Sequence, residues 1–320
     1  MNINLIMNNN YFEIIRAGIN TTFQDEGRDN LYHIGIPFSG AMDRRNFYLA
    51  NKLVNNVLNA PIVEFAYQGP QLKYVGDKLN ISVTGDVVFK IKKNDTEIVG
   101  NCYESYQIEN GDEINILSTN KSVYGYLAIG AEIDLNYQWK SCSINTRAKI
   151  GSNNGNKLTD GQKFNLLNIN TKQNKKKLNY INSKVENLRI IKGTNFDYFS
   201  LEGAKNFFSK QFIVSKLSDR MGMRLEGPKI ENIVNSNIKS EGLIKGVIQV
   251  PADGNPIIML SDHGTIGGYP KIGVVASVDY DRLVQISPGS KIKFQEIELS
   301  DAETLFKLYE METQNLLSQI

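Results

Sequence analysis

The stretch LIKGVIQVPADGNPIIML, residues 243–260, gives the clearest structural signal in the chain. Its two ends, Leu243–Val250 and Pro256–Leu260, are rich in valine and isoleucine, which favour β-strands. Asp253-Gly254 stands between them, and glycine supplies the positive φ that a tight turn needs. The stretch therefore predicts a β-hairpin.

The same alternation of apolar runs with Gly, Asn and Asp recurs on both sides of this hairpin. Pro288-Gly289 marks a further turn. The other predicted strands are Ile62–Tyr67, Leu79–Thr84, Val87–Lys92, Glu113–Leu117, Val123–Ile129, Leu188–Ile191 and Gly273–Val278. Short strands at short intervals are typical of antiparallel sandwiches and barrels. We therefore predict a mainly β protein with a few helices.

Two helices are predicted. The first begins after Asp43, a good N-cap, and its apolar stripe is Phe47, Ala50, Val54 and Val57. The second is the tail from Ser300, where Ser300 and Glu303 match a capping box. Its apolar positions are Leu305, Leu308, Tyr309, Leu316 and Ile320. We expect this tail to pack on the second domain.

Length and composition divide the chain into two domains. A chain of 320 residues fits two domains of about 150 residues each. We assign residues 11–150 to a first subdomain and residues 188–298 to a second, with the helix 300–320 at the end. Residues 151–187 are rich in Asn and Lys and are predicted to be a linker.

Charge and hydropathy exclude several classes of partner. The 36 Lys and Arg residues nearly balance the 34 Asp and Glu residues, so the formal net charge is +2. Such a balance argues against binding nucleic acid or an anionic membrane through bulk charge. No run reaches the ~18 apolar residues of a membrane span, and no secretory signal is apparent, so we expect a cytoplasmic protein.

Metal and nucleophile motifs are few. The chain has two histidines, His33 and His263, and two cysteines, Cys102 and Cys142. These numbers exclude a three-histidine metal site and a disulfide framework, so we expect free thiols and no metal bound by a dedicated His/Cys site. GxSxG and GxxxxGK[ST] motifs are absent.

The segment DHGTIGGYPK, residues 262–271, has the densest set of reactive side chains. Three glycines within five positions allow a backbone to approach a ligand closely. The segment also offers a carboxylate, an imidazole, a hydroxyl, a phenol and an ammonium. The alternative is a polar turn in which Asp262 binds local amides.

Two further groups contain arginines. Arg28 lies between QDEG and GIPFSGAMD, and its planar donors fit a carboxylate or a phosphate, unless Asp25 or Asp43 pairs with it. Arg220 lies in SDRMGMRLEGP. Two roles for it stay open: binding an anionic ligand, and forming an ion-pair network with the acids nearby.

These groups resemble the biotin-dependent carboxyltransferase family, which includes the C-type subunit of bacterial 5-oxoprolinase and the second subunit of allophanate hydrolase. In the first half the runs are GINTTFQDEGR, GIPFSGAMD, ANKLV and EFAYQGPQL. In the second half they are SDRMGMRLEGP, GVIQVPADGNPIIMLSDHGTIGGYPKI and QISPGSKIKF. The resemblance covers about residues 11–298. It implies two subdomains of cyclophilin-like β-barrel architecture.

The resemblance also implies a function. We expect the C-type subunit of an ATP-dependent 5-oxoprolinase, which acts with A-type and B-type subunits to hydrolyse the lactam of 5-oxo-L-proline to L-glutamate. ATP would be bound at the level of the complex, on this chain or on a partner. Two alternatives stay open: a regulatory protein that antagonises a histidine-kinase inhibitor, and a biotin-dependent carboxyltransferase or allophanate hydrolase-like subunit.

Such a site must hold a carboxylate and stabilise a developing oxyanion. We expect Arg28 and Arg220 to bind the anion, and Asp43 and Asp262 to handle or orient protons. The residues expected to complete the substrate site are Gln24, Gln249, Thr265, Gly267, Gly268, Tyr269 and Lys271.

One segment departs from the family pattern. The family has a Gly-Gly pair and then a Gly-Ser-Arg-Ser-Thr-like run, where this chain has Gly130-Ala131 and KSCSINT, residues 140–146. The arginine of that run is missing, so Lys140 or Arg147 would have to replace any contact it makes. No Ala-Met-Lys-Met-like biotinyl signature occurs, so no biotin is expected on this chain.

Overall fold

The computed structural model describes residues 10–94, 96–170, 175–180 and 187–320. The chain divides into two compact units. Unit 1 contains residues 1–26, 45–181 and 316–320, and unit 2 contains residues 27–44 and 182–315. Each unit is therefore assembled from separate segments of the chain.

In its described residues, unit 1 is built from two antiparallel sheets and the α-helix that follows Asp43. Its elements are β1 (Asn10–Arg16), β2 (Thr22–Gln24), α1 (Arg44–Leu53), β3 (Ile62–Ala66), β4 (Gln71–Val75), β5 (Leu79–Thr84), β6 (Val87–Lys93), β7 (Thr96–Gly100), β8 (Ser105–Ile108), β9 (Glu113–Thr119), β10 (Tyr124–Ile129), β11 (Glu132–Ile133) and β12 (Lys163–Leu167). Over the described residues, one sheet has seven strands in the order β11-β12-β1-β4-β9-β6-β7. The other has five, in the order β2-β3-β10-β5-β8.

The two sheets of unit 1 share one hydrophobic core. Phe12 of β1 packs against Tyr74 of β4 and Phe164 of β12, with ring centroids 4.9 and 5.4 Å apart. Burying each ring contributes about 2–3 kcal/mol. Strands β3, β5 and β10 are buried at every position, and β5 buries polar as well as apolar side chains, with Ser82 hydrogen-bonded to helix α1.

Helix α1 begins directly after Asp43, as predicted. It packs on β5, whose Ser82 hydroxyl donates to the carbonyl oxygen of Ala50 at 2.7 Å. The predicted stripe holds for Phe47 and Ala50, which are buried in the helix. Val54 and Val57 are wrong assignments to the helix, because it ends at Leu53; Val54 is buried beyond it, and Val57 is 70% exposed.

Unit 2 is built around a closed barrel. Its elements are β13 (Asn187–Lys192), α2 (Leu201–Ser209), β14 (Phe212–Val214), β15 (Gly222–Glu226), β16 (Glu241–Gly242), β17 (Val247–Gln249), β18 (Ile257–Met259), β19 (Ile266–Gly267), β20 (Lys271–Val275), α3 (Ser277–Leu283), β21 (Lys291–Glu296) and α4 (Leu299–Ser318). The barrel order is β13-β20-β17-β18-β15-β14-β21, and β16 pairs with β19 outside it.

The predicted hairpin is confirmed. Gln249 of β17 pairs with Ile257 of β18, and Gly254 in the turn has a φ of +73°. The barrel closes where β21 pairs in parallel with β13, with Leu188 opposite Phe294. The mainly β fold class and the barrel architecture are thus confirmed, although β17 begins at Val247 rather than at the predicted Leu243.

Two helices of unit 2 were not predicted. Helix α2 has Ser200 as its N-cap, whose side chain accepts from the Gly203 nitrogen at 2.9 Å. Helix α3 overturns the end of the predicted strand Gly273–Val278, because Ser277 and Val278 are helical. Asp279 of α3 pairs with Arg189 of β13, and this tertiary ion pair prevails over the β-propensity of the run.

The C-terminal helix is confirmed with two corrections. It begins at Leu299, so Ser300 lies inside the helix and is not its N-cap. Leu308 is 56% exposed and does not belong to the packed face. Leu305 and Tyr309 pack in a cluster of unit 2, as expected, whereas the last residues, 316–320, are assigned to unit 1.

The unit boundaries also differ from the prediction. Residues 27–44 belong to unit 2, although their strand-rich surroundings suggested the first subdomain. The predicted linker contains β12, which pairs with β1 and buries Phe164 and Leu166. Residues 171–174 and 181–186 of that linker lie outside the described residues.

Three observations concern membranes, metals and thiols. In the part of the chain that the structure describes, no helix is both long and apolar enough to cross a membrane. Within the same residues, no group of three or more His, Cys, Asp or Glu side chains could hold a metal ion. Cys102 and Cys142 are free thiols, as predicted.

Candidate functional site

The 27–44 segment of unit 2 packs against the loop after β18. The Ser39 nitrogen donates to the carbonyl oxygen of Ser261 at 2.9 Å, and the Arg28 nitrogen donates to that of Phe38 at 2.7 Å. Gly27 has a φ of +95°, and a Cβ there would lie 2.7 Å from Phe38. This turn therefore requires glycine. It fixes the backbone that carries the buried Arg28 side chain, which is 2% exposed.

Arg220 and Asp262 form a buried ion pair. The Arg220 Nε donates to Oδ2 of Asp262 at 2.9 Å and its Nη2 to Oδ1 at 3.1 Å. The same Nη2 donates to the carbonyl oxygen of Gly40 at 2.6 Å. Two-point pairs of this kind are strong and directional. The Nε–Nη2 edge of Arg220 is thus held by an acid distant in sequence, rather than by its neighbours Asp219 and Glu226.

Lys245 was not predicted as a site residue. Its Nζ donates to the carbonyl oxygen of Ser39 at 3.3 Å and lies 4.0 Å from the centre of the Phe38 ring. The centre of the Tyr280 ring is 5.9 Å away. Among the residues that the structure describes, no carboxylate forms an ion pair with this nitrogen.

The surroundings of Lys245 disfavour its charged form. Desolvation, together with the positive charges of Arg44 and Arg220, lowers the pKa of Lys245 to about 7. Asp262 and Asp281 oppose this effect but contribute less. The side chain is therefore divided between amine and ammonium near neutral pH.

His263 is hydrogen-bonded at both ring nitrogens. Its Nδ1 donates to the carbonyl oxygen of Gly264 at 2.6 Å, since a carbonyl only accepts. The neutral Nε2 is then an acceptor for the Tyr32 hydroxyl, 3.3 Å away. Burial lowers the pKa of His263, and the charge of Lys245 acts in the same direction. His263 is thus a neutral, oriented imidazole.

The remaining acids of this region hold structural partners. The Asp43 Oδ2 accepts from the Gln285 side chain at 2.8 Å. Asp281 accepts from the Arg44 nitrogen at 3.1 Å and from the Tyr309 hydroxyl at 2.6 Å. The polar groups around Lys245 are therefore largely fixed by one another.

The glycine-rich segment 262–271 forms a second local group. Gln249 donates to the carbonyl oxygen of Tyr269 at 2.9 Å, and a Cβ on Gly267 would lie 2.7 Å from the Gln249 amide. Lys271 pairs with Glu241 of β16. This pairing shows that the Lys271 ammonium is already neutralised by an internal acid.

Unit 1 contains the segment 140–146, where the resemblance implies a missing arginine. The Asp25 carboxylate accepts from the hydroxyls of Ser141 and Ser143 at 2.6 and 2.5 Å and from the Cys142 nitrogen at 2.7 Å. Gln24 donates to the carbonyl oxygen of Ile144 at 2.9 Å. These contacts give Asp25 a structural role as the anchor of residues 141–144.

The structure brings some of the predicted site residues into contact with one another. In unit 2 it joins Arg220 with Asp262, and Gln249 with Gly267 and Tyr269. The other predicted residues of unit 2 are Arg28, Asp43, Thr265, Gly268 and Lys271, whereas Gln24 lies in unit 1.

Three residues of this region were missed: Lys245, Tyr280 beside it, and Tyr32, which contacts His263. Lys245 stands inside an apolar run, LIKGVIQV. A lone cation in such a run is the signal that could have found it, because lysine is rarely buried without a reason.

Comparison with known proteins identifies relatives of the whole chain. The profile of the carboxyltransferase domain, subdomain A and B, matches residues 34–296. The chain is 30% identical to the 5-oxoprolinase C subunit of Haemophilus influenzae over 293 residues, covering 92% of this chain and 93% of that protein. It is 29% identical to the 5-oxoprolinase C subunit of Escherichia coli strain K12, covering 91% and 92%.

A solved structure shares the fold. The crystal structure of the K. lactis urea amidolyase superposes with a TM-score of 0.87 at 26% identity. The match covers 98% of this chain and 20% of that one, so the chain spans about a fifth of the urea amidolyase.

Proposed function

The chain belongs to the family of the carboxyltransferase domain, subdomain A and B, and we propose that it works as the C-type subunit of a 5-oxoprolinase. The observation that carries this proposal is its 30% identity to the Haemophilus influenzae C subunit, aligned over 93% of that protein. The Escherichia coli C subunit supports it with nearly equal coverage.

The proposal includes partners. A C-type subunit works beside other subunits, and we propose A-type and B-type partners, a cytoplasmic assembly and ATP as a substrate of that assembly. Hydrolysis of an unstrained lactam needs such a driving reaction, because an amide is a poor electrophile. ATP is assigned here to the assembly and to no residue of this chain.

The charges of unit 2 suit an anionic substrate. The substrate 5-oxo-L-proline carries one carboxylate, and three cationic side chains act on one region of unit 2: Arg44, Arg220 and Lys245. Asp262 orients Arg220 through two hydrogen bonds. In this proposal, the pair fixes the orientation of the Arg220 guanidinium, and Asp43 and Asp262 remain the predicted proton-handling or orienting groups.

The test is reconstitution. The three subunits are co-expressed, and ATP-dependent release of L-glutamate from 5-oxo-L-proline is measured with Asp262→Asn and with Lys293→Met, an exposed barrel lysine, as the matched control. The proposal expects glutamate release that Asp262→Asn reduces and Lys293→Met leaves unchanged. An assembled complex that releases no glutamate would contradict it.

Carboxyl transfer is a second candidate function. The TM-score of 0.87 to the urea amidolyase favours it, since the match covers nearly all of this chain. A transfer of the carboxyl group from carboxybiotin on a separate carrier protein to an acceptor amide would distinguish it from lactam hydrolysis. The regulatory alternative stays a prediction, and binding to a kinase inhibitor would test it.

A further inference from the structure

We propose that Lys245 is the receptor for the carboxylate group of a small-molecule substrate in unit 2. This inference deepens the proposed function and rests on it for the identity of that substrate. Its basis is the arrangement of charges and hydrogen bonds around one nitrogen atom.

The first step is the composition of the Lys245 environment. The 27–44 segment contributes the Ser39 carbonyl oxygen and the Phe38 ring, and its last residue, Arg44, adds a positive charge. The other charged or titratable groups that act on Lys245 come from the barrel side of unit 2: Arg220, Asp262, His263, Tyr280 and Asp281. Two full positive charges and two carboxylates therefore surround the amine.

The second step is that the carboxylates of Asp262 and Asp281 already have other partners than Lys245. Asp262 is held in the two-point pair with Arg220. Asp281 accepts from the Arg44 nitrogen and the Tyr309 hydroxyl. Of the three donors of an ammonium group, one is directed at the Ser39 carbonyl oxygen. The site thus offers further donors to an incoming anion, and the two arginine charges act on the amine more strongly than the two carboxylates do.

The third step concerns access. Lys245 is half-buried, in contrast to Asp262 and His263, which are 7% and 1% exposed. In this proposal a small ligand approaches the nitrogen along the exposed part of the side chain, while the buried groups keep it oriented. A bulky or strongly hydrated polyanion fits this position poorly, because the Phe38 ring covers one side of the nitrogen at 4.0 Å.

A consequence follows for proton exchange. Binding of a carboxylate favours the ammonium form of Lys245, so the complex takes up a proton from the solvent at the amine when it forms above neutral pH. Charge is balanced in this step, because the bound anion and the added proton neutralise each other. The affinity for the carboxylate should therefore fall as the pH rises above about 7.

The experiment measures the reactivity of Lys245 directly in the full chain. Competitive acetylation with isotopically labelled acetic anhydride, read by mass spectrometry between about pH 6 and pH 10, gives the protonation midpoint of each lysine. Three probes are compared: 5-oxo-L-proline, cyclopentanecarboxylate, which keeps the ring and the carboxylate, and 2-pyrrolidinone, which keeps only the lactam. Lys293 serves as the internal control.

We expect both carboxylates to raise the midpoint of Lys245 by about one pH unit and to slow its acetylation about tenfold, with no effect of 2-pyrrolidinone. Lys293 should respond to none of them. Lys245→Met should lower the affinity for 5-oxo-L-proline about tenfold, and Lys245→Arg should retain affinity without proton uptake in calorimetry with two buffers.

The outcomes separate the two proposals. If neither carboxylate changes Lys245, the inference is wrong even when the assembly releases glutamate. If both carboxylates protect Lys245 but the assembly releases no glutamate, the proposed function fails and the carboxylate receptor stands. A Lys245→Met variant that loses stability but binds the probes with unchanged affinity would reduce Lys245 to a structural role and overturn the inference.

Discussion

Asp25 and Ser143 bind each other through a reciprocal pair of hydrogen bonds. The Ser143 hydroxyl donates to Asp25 Oδ1 at 2.5 Å, and the Asp25 nitrogen donates to the same hydroxyl oxygen at 2.9 Å. Both residues are buried. The carboxylate therefore fixes the segment that contains Ser141, Cys142 and Ser143.

Replacing this carboxylate should destabilise unit 1. In Asp25→Asn, one amide group would face three donors, those of Ser141, Cys142 and Ser143, and an NH₂ would point at one of them. We expect a loss of about 2–3 kcal/mol in the free energy of unfolding, measured in urea by circular dichroism. Ser143→Ala should cost about 1 kcal/mol. Equal unfolding midpoints for wild type and Asp25→Asn would refute the anchoring role.

Breaking the Arg220–Asp262 pair should cost more. Asp262→Asn leaves the buried guanidinium without its compensating charge, so we expect a loss of about 3–5 kcal/mol. The double variant Arg220→Met/Asp262→Leu removes both charges and should recover part of that loss. Thermal unfolding of the single and double variants checks this, and an additive double variant would show that the two residues do not act as a pair.

Gly151 should tolerate no side chain. Its φ is +99°, and a Cβ would lie 2.0 Å from the carbonyl oxygen of Ser143. Gly111 is the matched control, because its φ is +91° and its Cβ would meet no atom within 4 Å. We expect Gly111→Ala to cost about 1 kcal/mol through backbone strain and Gly151→Ala several times more. Similar urea midpoints for both variants would contradict the predicted clash.

The free energy of unfolding should depend on pH through the ionisation of Lys245. Its pKa is lowered to about 7 in the folded chain, so between that pH and the ordinary lysine value the unfolded chain binds more protons. The burial penalty is therefore complete below about pH 7 and disappears as the pH rises toward about 10.5.

Lys245→Met should accordingly stabilise the fold at pH 6 by about 2 kcal/mol, a value reduced because the side chain is half-buried and screened. The advantage over wild type should shrink steadily up to about pH 10. Urea titrations of both proteins at several pH values measure this difference in the free energy of unfolding. Lys293→Met should show no such trend, and a constant difference for Lys245→Met would rule out the lowered pKa.

His263 should remain neutral at pH 7 with its proton on Nδ1. The Gly264 carbonyl oxygen requires that tautomer, and burial lowers the pKa. Protonation below the ordinary histidine pKa thus occurs more readily in the unfolded chain, so acid destabilises the fold through this residue. Nitrogen chemical shifts of the imidazole, assigned by loss of the signals in His263→Gln, check both statements. An Nε2–H tautomer would refute the assignment.

The strands were predictable because their signals are local. The run Leu79–Thr84 is a strand with the predicted ends, and Gly254 has the positive φ inferred from Asp253-Gly254. Turn chemistry and apolar runs act over a few residues, so they can be read without the rest of the chain. The start of α1 after Asp43 belongs to the same class of local signal.

The site was less predictable because its contacts are distant in sequence. Arg220 pairs with Asp262, 42 residues away, while nearer acids compete for it in the sequence. The ammonium group of Lys245 donates to the carbonyl oxygen of Ser39, 206 residues away. Helix α3 was missed for the same reason, since its Asp279 is fixed by Arg189 of another strand. No local pattern encodes such pairs.

The parallel pairing of β21 with β13 has a consequence for synthesis on the ribosome. The 27–44 segment is translated before its partners Lys245 and Ser261, and before the closing strand Lys291–Glu296. In a nascent chain, the 27–44 segment therefore lacks these partners until more than 200 further residues have been translated. Premature termination before Lys291 would leave an unclosed cylinder with two bare strand edges, a natural substrate for chaperones or proteases.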